Sequence, residues 1–201
     1  MTEASKSIFA FSSATLHEAF ARRGAMPSAI KPVAHGMRIR GRAFTVASPP
    51  QDNLMLHKAI YAAEPGDVLV VGVSGFHEAG YWGEVMSVAA VARRLAGLVI
   101  DGCIRDSNEI AALGFPVFAR GTCISGTAKH GGGALQVPIV VGDVVVSPGD
   151  LIAGDDDGIV VVPPGEAGAL AVAAAERMEH EAEIMRRLRS GQTTLALFNL
   201  S

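Results

Sequence analysis

DVLVVGVSG (residues 67–75) and GEVMSVAAVARRLAGLVIDG (residues 83–102) are the two stretches that decide the fold. The first is a continuous apolar run, which is typical of a strand covered on both faces. The second has a helical apolar period and then a second apolar strand. Strand, helix and strand in this order predict a parallel crossover unit. The predicted buried face of the helix holds Val85, Val88, Ala89, Ala92 and Leu95.

The flanking segments extend this unit on both sides. SSATLHEAFARRGAMP (12–27) predicts a helix with a capping box from Thr15 to Glu18, and MRIRGRAFTV (37–46) predicts extended chain. The Gly-Asp and Pro-Gly turns of residues 138–164 predict β-hairpins, and a long helix should follow to about Arg189. We therefore expect one α/β domain over residues 1–201, with a partly parallel central sheet and helices at both ends.

The composition limits the classes of function. The chain is 49% hydrophobic and 18% charged, so part of its apolar surface is expected to be covered by other subunits. A net charge of −3 offers no basic field for a phosphate backbone, which argues against direct nucleic-acid binding. Two cysteines suit a reducing compartment, and no apolar run approaches the ~20 residues of a membrane helix. We expect a soluble cytoplasmic protein without a membrane partner.

A cluster of charged residues follows the second predicted strand. The segment LVIDGCIRDSNE (98–109) places Arg105 and Asp106 at the carboxyl end of that strand. Ligands collect at this edge in crossover units. Glu84 opens the preceding helix, and the amides of Val85 and Met86 near that helix start are predicted to be open to an anion such as a carboxylate. Carboxylates at this position could bind Mg²⁺, and a 2-oxo acid could chelate that ion through its keto and carboxylate oxygens. The arginine would balance the negative charge of the substrate. The alternative is a structural ion pair, and composition alone does not decide between the two.

The stretch GEVMSVAAVARRLAGLVIDGCIRDSNE resembles the RraA-like family. This family includes divalent-metal-dependent 4-hydroxy-4-methyl-2-oxoglutarate/4-carboxy-4-hydroxy-2-oxoadipate aldolases and the regulator of ribonuclease E activity. The aldolases carry an acidic residue, twenty residues and then Arg-Asp, which here are Glu84, Arg105 and Asp106. The resemblance extends through TLHEAFARRGAM, GDVLVVGV, FARGTCISGTAK and GDDDGIVVVPP, and so covers nearly the whole chain.

The resemblance implies a swivelling β/β/α fold and a role for each motif residue. Asp106 is expected to bind Mg²⁺, Mn²⁺ or another divalent metal, and Glu84 to hold metal-bound water. Arg105 is expected to contact the substrate, while the amides of Val85 and Met86 take the carboxylate of pyruvate.

The resemblance also implies self-association as a homotrimer or homohexamer, with active sites between subunits. Aldolase members use a glutamate from the C-terminal helix of a neighbouring subunit. Here the expected residue is Glu181, with Glu179 and Glu176 as alternatives because the register is open.

The implied reaction is aldol cleavage of a 4-hydroxy-2-oxo diacid to pyruvate and a second 2-oxo acid, with oxaloacetate decarboxylation as a second activity. Two alternatives remain: a non-catalytic protein-binding regulator of a ribonuclease, and a family member that acts on a different 2-oxo or hydroxy acid. Regulator-type members lack the acidic residue at the position of Glu84, so its presence favours the enzyme.

Other conspicuous residues have simpler interpretations. Asp155, Asp156 and Asp157 precede a glycine between two strands and predict a turn. The glycine-rich segment 129–134 lacks the P-loop pattern and is expected to be a loop near the pocket mouth. Cys103 is expected to pack as a small side chain, and Asp101 to support the loop that carries Arg105.

Overall fold

A computed structural model describes residues 7–200 and has an eight-stranded mixed sheet at its centre. The strands in chain order are β1 Lys31–Pro32, β2 Ile39–Ala47, β3 Asp67–Gly72, β4 Gly97–Ile100, β5 Cys103–Ile104, β6 Val117–Ala119, β7 Gly121–Thr122, β8 Ala134–Leu135, β9 Ile139–Val141, β10 Val144–Val146, β11 Leu151–Asp155 and β12 Gly158–Val162. The helices are α1 Ser13–Ala19, α2 Leu54–Ala62, α3 Glu84–Ala92, α4 Ser107–Leu113, α5 Ala167–Arg189 and α6 Thr194–Leu197. Short 3-10 turns cover Ile8–Ala10 and Pro164–Glu166.

The sheet runs in the order β1-β6-β4-β3-β2-β11-β12, with β8 paired to β2. Strands β2, β3, β4 and β6 are mutually parallel, and β11 and β12 add an antiparallel edge. The predicted crossover unit is therefore present as β3-α3-β4. The expected α/β class, the partly parallel sheet and the terminal helices are confirmed.

Apolar layers cover the sheet on both faces. Helices α2, α3 and α4 pack on one face of the parallel strands, where Leu69, Val71, Leu98 and Ile100 are buried. The β9–β10 hairpin, which confirms the predicted hairpin region, covers the opposite face. Helices α1 and α5 pack over β11 and β12. All six residues of β3 are buried, as their uninterrupted apolar pattern predicted.

The first helix begins earlier than the sequence suggested. Ser12, and not Thr15, is the N-cap, because its side chain accepts the Thr15 N–H at 3.1 Å. The predicted capping box from Thr15 to Glu18 is therefore wrong. Ser12 and Thr15 are both residue types that cap helices, and the one that comes first in the chain does so.

The predicted buried face of α3 is also wrong. Val85 is 80% exposed and Val88 50% exposed, while Met86, Ser87 and Ala90 are buried. Apolar residues cover most of this helix, so their period fits more than one face. The consequence is an exposed apolar stripe that begins beside the candidate site.

Helix α5 is packed only in its first third. Ala167, Leu170 and Ala174 are buried, whereas Met178 and Met185, farther along the helix, are 48% and 46% exposed. Beyond Ala174 the helix makes mainly surface ion pairs. Among residues 7–200, no helix combines the length and the apolar character needed to cross a membrane.

Candidate active site

A cavity of about 300 Å³ lies where β5 ends and α3 begins. Arg105 and Asp106 line one side of it, together with Val85 and Met86 from the start of α3. The structure therefore brings four of the predicted site residues into one cavity. This is the edge at which the carboxyl ends of parallel strands and a helix N-terminus were expected to meet.

The segment before α3 runs beside β5 and fixes the position of Arg105. Cys103 N–H donates to the carbonyl of His77 at 3.0 Å, and Arg105 N–H donates to the carbonyl of Trp82 at 2.9 Å. Tyr81 N–H returns a bond to the carbonyl of Cys103 at 3.1 Å. These bonds form a short parallel ladder that aligns the Arg-Asp pair with the first residues of α3.

The Asp106 carboxylate is held against the start of α3. Its Oδ2 accepts the N–H of Glu84 at 3.0 Å, and Asp106 itself adopts the left-handed conformation with φ 57° and ψ 41°. Aspartate tolerates this conformation better than most side chains do. The left-handed turn directs the carboxylate away from α4 and toward the cavity.

Gly83 makes this approach possible. A Cβ atom at Gly83 would lie 2.4 Å from Asp106 Oδ2 and 3.3 Å from Arg105 Cγ. The backbone of Gly83 is extended, with φ −155°, so the requirement for glycine arises from space and not from backbone conformation. The sequence places Gly83 directly before the helix, but no local signal reveals this role.

Arg105 stands beside Asp106 without a close ion pair. Its Nε lies 3.8 Å from Asp106 Oδ2, and its side chain is 53% exposed. The alternative of a purely structural pair is not supported by this long contact, because a tight pair would bring N and O to about 2.8 Å. The guanidinium keeps donors for a ligand.

The amides of Val85 and Met86 are open. Neither donates to an acceptor within residues 7–200, since the first carbonyl used by α3 is Gly83 O, which accepts Ser87 N–H at 3.0 Å. Unsatisfied amides at a helix start carry a partial positive charge and bind anions. Both residues line the cavity, so the amides are placed to receive a carboxylate.

The two predicted glutamates lie elsewhere. Glu84 touches Asp106 through its backbone, and its own side chain is exposed outside the cavity lining. Glu181 sits in the exposed part of α5, where it pairs with Arg177 at 2.8 Å, and it is not among the residues that line the cavity. Within the described chain Glu181 therefore does not join the cavity of its own subunit.

Helix α2 supplies a wall that the sequence analysis missed. Asn53 and His57, four residues apart at its start, line the cavity. Asn53 is only 5% exposed, and its Nδ2 donates to the carbonyl of Tyr81 at 2.9 Å. No described residue bonds Asn53 Oδ1 or His57 Nε2, although both atoms are buried. Burial lowers the pKa of His57, and the charge of Lys129 lowers it further, so the ring is neutral at pH 7.

The glycine-rich loop closes the cavity, as expected of a loop at the pocket mouth. Lys129 lines the cavity, and the next two residues donate their amides to Asp52 Oδ2, His130 at 2.5 Å and Gly131 at 3.2 Å. Burial alone raises the pKa of Asp52, but bonds from these amides and from Leu54 N–H outweigh it, so the pKa is lowered. An ionised Asp52 therefore anchors the loop.

The remaining predictions fall on supporting residues. Asp101 accepts Arg120 Nε at 2.5 Å and Gly142 N–H at 3.3 Å, so its carboxylate joins other segments, and support of the loop that carries Arg105 stays a prediction. Cys103 is buried, and burial raises the pKa of its thiol, as expected of a packed side chain. Asp156 and Asp157 form the predicted turn between β11 and β12.

The residues at the cavity offer few ligands for a metal ion. They fit a hard cation that keeps several waters better than one coordinated entirely by protein side chains. Within residues 7–200 no group of three His, Cys, Asp or Glu side chains is arranged to hold a metal ion. Asp106 offers a single carboxylate, 38% exposed, with Oδ1 unbonded by the described residues. Mg²⁺ is commonly held by one or two carboxylates, with substrate oxygens and waters completing the shell. This donor set meets that requirement.

Comparison with known proteins places these residues in a family context. The model of the RraA-like family, described as Aldolase/RraA, matches residues 13–161. A protein of Halalkalibacterium halodurans, provisionally named a 4-hydroxy-4-methyl-2-oxoglutarate aldolase, is 43% identical over 141 residues, which are 70% of this chain and 67% of that protein. An uncharacterised protein of Methanocaldococcus jannaschii is 35% identical over 181 residues, 88% of this chain and 86% of its own.

Solved structures agree with the sequence relatives. An uncharacterised protein from Pseudomonas syringae superposes with a TM-score of 0.83 at 31% identity, covering 94% of this chain and 90% of that one. RraAS2 of Streptomyces coelicolor, described as an unusual member of the RNase ES inhibitor RraA protein family, gives a TM-score of 0.80 at 32% identity, covering 93% and 98%.

Proposed function

The chain belongs to the RraA-like family, and from this premise we propose that it is a divalent-metal-dependent aldolase. Its substrate is a 4-hydroxy-2-oxo diacid such as 4-hydroxy-4-methyl-2-oxoglutarate or 4-carboxy-4-hydroxy-2-oxoadipate, cleaved to pyruvate and a second 2-oxo acid. One observation carries the proposal: a carboxylate at Asp106, a guanidinium at Arg105 and two open amides at the start of α3 surround one cavity.

The charge of the cavity supports an acidic substrate. Arg105 and Lys129 contribute two positive charges against the single carboxylate of Asp106. Neither cation has a close ion-pair partner among the described residues, since the Arg105 contact to Asp106 is 3.8 Å long. When a diacid enters this cavity, its carboxylates lose bound water and gain contacts with these two positive side chains. The attraction is local, because the whole chain carries a net negative charge.

Asp106 would hold the divalent cation. The Glu84 side chain is exposed outside the cavity lining, so it would act only indirectly, by holding a water bound to that cation. When bound, the cation supplies Lewis acidity at the 2-oxo group of the substrate. The amides of Val85 and Met86 bind the adjacent carboxylate and fix its orientation. Arg105 balances the negative charge that develops on the 2-oxo oxygen during cleavage.

The reaction moves one proton and one electron pair. A water held by acidic residues accepts the proton of the 4-hydroxyl, the C3–C4 bond breaks, and its electron pair moves into the enolate of pyruvate. The former C4 leaves as the carbonyl of the second 2-oxo acid. A proton delivered to C3 then gives pyruvate. Oxaloacetate decarboxylation generates the same enolate, so it is the second activity that we propose.

Self-association as a homotrimer or homohexamer completes the proposed site. Glu181 does not line the cavity of its own subunit, so it acts in the site of a neighbouring subunit; Glu179 and Glu176 are the alternatives on the same helix. Exposed apolar side chains support this assembly. They lie on α3, on the exposed part of α5 and in the C-terminal segment that contains α6: Val85, Val88, Val91, Met178, Met185, Leu195 and Phe198.

Pyruvate release tests the proposal. The protein is incubated with Mg²⁺ or Mn²⁺ and either oxaloacetate or a 4-hydroxy-2-oxo diacid, and pyruvate is followed with a coupled assay against an EDTA control. We expect metal-stimulated pyruvate from both substrates. If both of these substrates are inert and a different hydroxy or 2-oxo acid is turned over, the protein is instead a family member with another substrate.

A protein-binding regulator is the competing function. It is favoured by the likeness to RraAS2 and to a Thermus thermophilus structure described as the RNA-processing inhibitor RraA, which gives a TM-score of 0.70 at 27% identity and covers 76% of this chain and 93% of its own. A regulator would inhibit a ribonuclease without producing pyruvate. Inhibition of RNA cleavage in the absence of metal-dependent pyruvate release would therefore replace the aldolase proposal.

A further inference from the structure

Helix α2 contributes to the cavity lining a residue, Asn53, that has an unsatisfied acceptor. Asn53 donates both amide protons, one to the carbonyl of Tyr81 at 2.9 Å and one toward Met86 Sδ at 3.6 Å. A carbonyl oxygen can only accept, so the bond to Tyr81 fixes the orientation of the amide and leaves Oδ1 as an acceptor. This atom is buried, in a residue that is 5% exposed, and no described residue donates to it.

A buried acceptor without a partner is costly, and native proteins rarely retain one without a ligand or water to satisfy it. His57 presents a second buried atom, Nε2, from the same side of α2, because residues four apart share a helix face. A neutral imidazole nitrogen either donates or accepts, according to its tautomer. The pair therefore matches a group that both donates and accepts.

We propose that Asn53 and His57 form the subsite that receives the hydroxyl group of the substrate. In the bound substrate the hydroxyl donates its one hydrogen bond to Asn53 Oδ1 and accepts a second from Nε2–H of His57, and its proton turns to the base water only as the C3–C4 bond breaks. Carboxylates and 2-oxo groups have no proton to donate, so the hydroxyl is the one group of a fully ionised 4-hydroxy-2-oxo diacid that satisfies Asn53 Oδ1.

This inference rests on the proposed aldolase function and makes it more specific. It assigns the α3 end of the cavity to the pyruvate half of the substrate and the α2 wall to C4. It also separates the two proposed activities, because oxaloacetate has no 4-hydroxyl. The subsite should therefore matter for aldol cleavage and much less for decarboxylation.

The ratio of the two activities is the first test. We expect His57→Phe and Asn53→Ala to lower kcat/KM for 4-hydroxy-4-methyl-2-oxoglutarate at least tenfold more than kcat/KM for oxaloacetate, since a site built to bond a hydroxyl loses discrimination when the bond is removed. His57→Gln keeps a polar atom and should recover part of the loss. Lys58→Ala, on the same helix and outside the cavity lining, is the matched control.

Folding is controlled within the pair of variants. Asn53→Ala also removes the bond to Tyr81 and can disturb the start of α3, whereas no described residue bonds Nε2 of His57, so His57→Phe spares the fold. Equal loss of both activities in His57→Phe, or no loss in either, would overturn the subsite.

Binding separates this inference from the proposed function. Trp82, the single tryptophan, lines the cavity, so its fluorescence reports ligands there. In EDTA, 4-hydroxy-2-oxoglutarate should bind the wild-type protein about tenfold more tightly than 2-oxoglutarate, and Asn53→Ala and His57→Phe should abolish the preference. If pyruvate is never released but the preference is found, the subsite stands and the aldolase proposal fails. If pyruvate is released without any preference, the subsite is overturned and the aldolase stands.

Discussion

The carboxylate of Asp106 accepts the backbone N–H of Glu84 at 3.0 Å and so joins the end of β5 to the first residue of α3. This bond spans the twenty residues that separate Glu84 from Arg105 in the sequence. It explains why the spacing matters: one helix and one strand return the chain to the edge from which it left. Together with the backbone bond from Arg105 N–H to the carbonyl of Trp82, it holds the metal-binding and anion-binding parts of the proposed site in register.

Gly83→Ala should damage the site more than the fold. The added methyl would meet Asp106 Oδ2 at 2.4 Å, so the carboxylate must move from the start of α3. We expect metal-stimulated pyruvate release to fall at least tenfold, with about 1 to 3 kcal/mol lost in urea unfolding. Gly165→Ala, where nothing lies within 4 Å of the new methyl, should change neither quantity. Full activity in Gly83→Ala would show that Asp106 does not need this position.

Mixed oligomers test whether the site lies between subunits. Glu181→Gln and Asp106→Asn chains should each be inactive in aldol cleavage alone. Mixed in equal amounts after dissociation and reassembly, they should recover about a quarter of the wild-type activity, because random assembly joins an intact Asp106 to a neighbour's intact Glu181 at that frequency. The measurement is pyruvate release, with sedimentation to check a mass of three or six times the 20.8 kDa chain. If assemblies of that mass recover no activity, Glu181 does not act across subunits. The same mixing experiment would then be repeated with variants of Glu179 and Glu176.

Asp101→Ala should lower stability through a buried ion pair. Asp101 accepts Arg120 Nε at 2.5 Å and also holds the amide of Gly142, and the two side chains are 10% and 24% exposed. Removing the carboxylate leaves a half-buried guanidinium without its partner, which should cost about 2 to 3 kcal/mol in denaturant unfolding. Glu183→Ala, which breaks the exposed pair with Arg186, should cost less than about 0.5 kcal/mol. Similar losses in both variants would contradict the importance of burial here.

Asp155 should make stability depend on pH in the acid range. Burial alone raises the pKa of Asp155, but hydrogen bonds from the hydroxyl and amide of Ser13 and from Asp157 N–H outweigh it, so the folded-state pKa lies below the ordinary value of 3.8. The stabilisation is then complete above 3.8 and is lost as pH falls through the lower folded-state pKa. In urea unfolding, wild type should exceed Asp155→Asn by about 1 kcal/mol at pH 7, and the difference should shrink below about pH 4. If the stability difference instead grows as the pH falls, the pKa of Asp155 is raised by folding and not lowered.

The strands and the Arg-Asp pair could be predicted from the sequence because their signals are local. β3 is apolar at nearly every position, and the charge after LVIDG appears where the strand leaves the sheet. The burial of α3 could not be predicted, because Val85 and Val88 satisfy a helical period as well as Met86 and Ala90 do. Which face is buried depends on packing against the neighbouring helices, and that information is absent from the helix itself.

The α2 wall of the cavity was missed for a related reason. Asn53 and His57 lie 52 and 48 positions before Arg105, and neither belongs to a recognisable motif. Their spacing of four at a helix start was the available signal, because it places two polar side chains on one face of an otherwise apolar helix. Their lack of partners becomes visible only when the tertiary contacts are known.

The most direct test of the central proposal is metal-dependent pyruvate release by wild type and by Asp106→Asn. Asparagine tolerates the left-handed backbone at φ 57° and keeps an acceptor for Glu84 N–H, so the fold and the helix start should persist while the carboxylate charge is lost. With Mg²⁺ and either oxaloacetate or 4-hydroxy-4-methyl-2-oxoglutarate, wild type should release pyruvate well above its EDTA control, and Asp106→Asn should not. Equal metal-stimulated release by both proteins would contradict the assignment of Asp106 as the metal ligand.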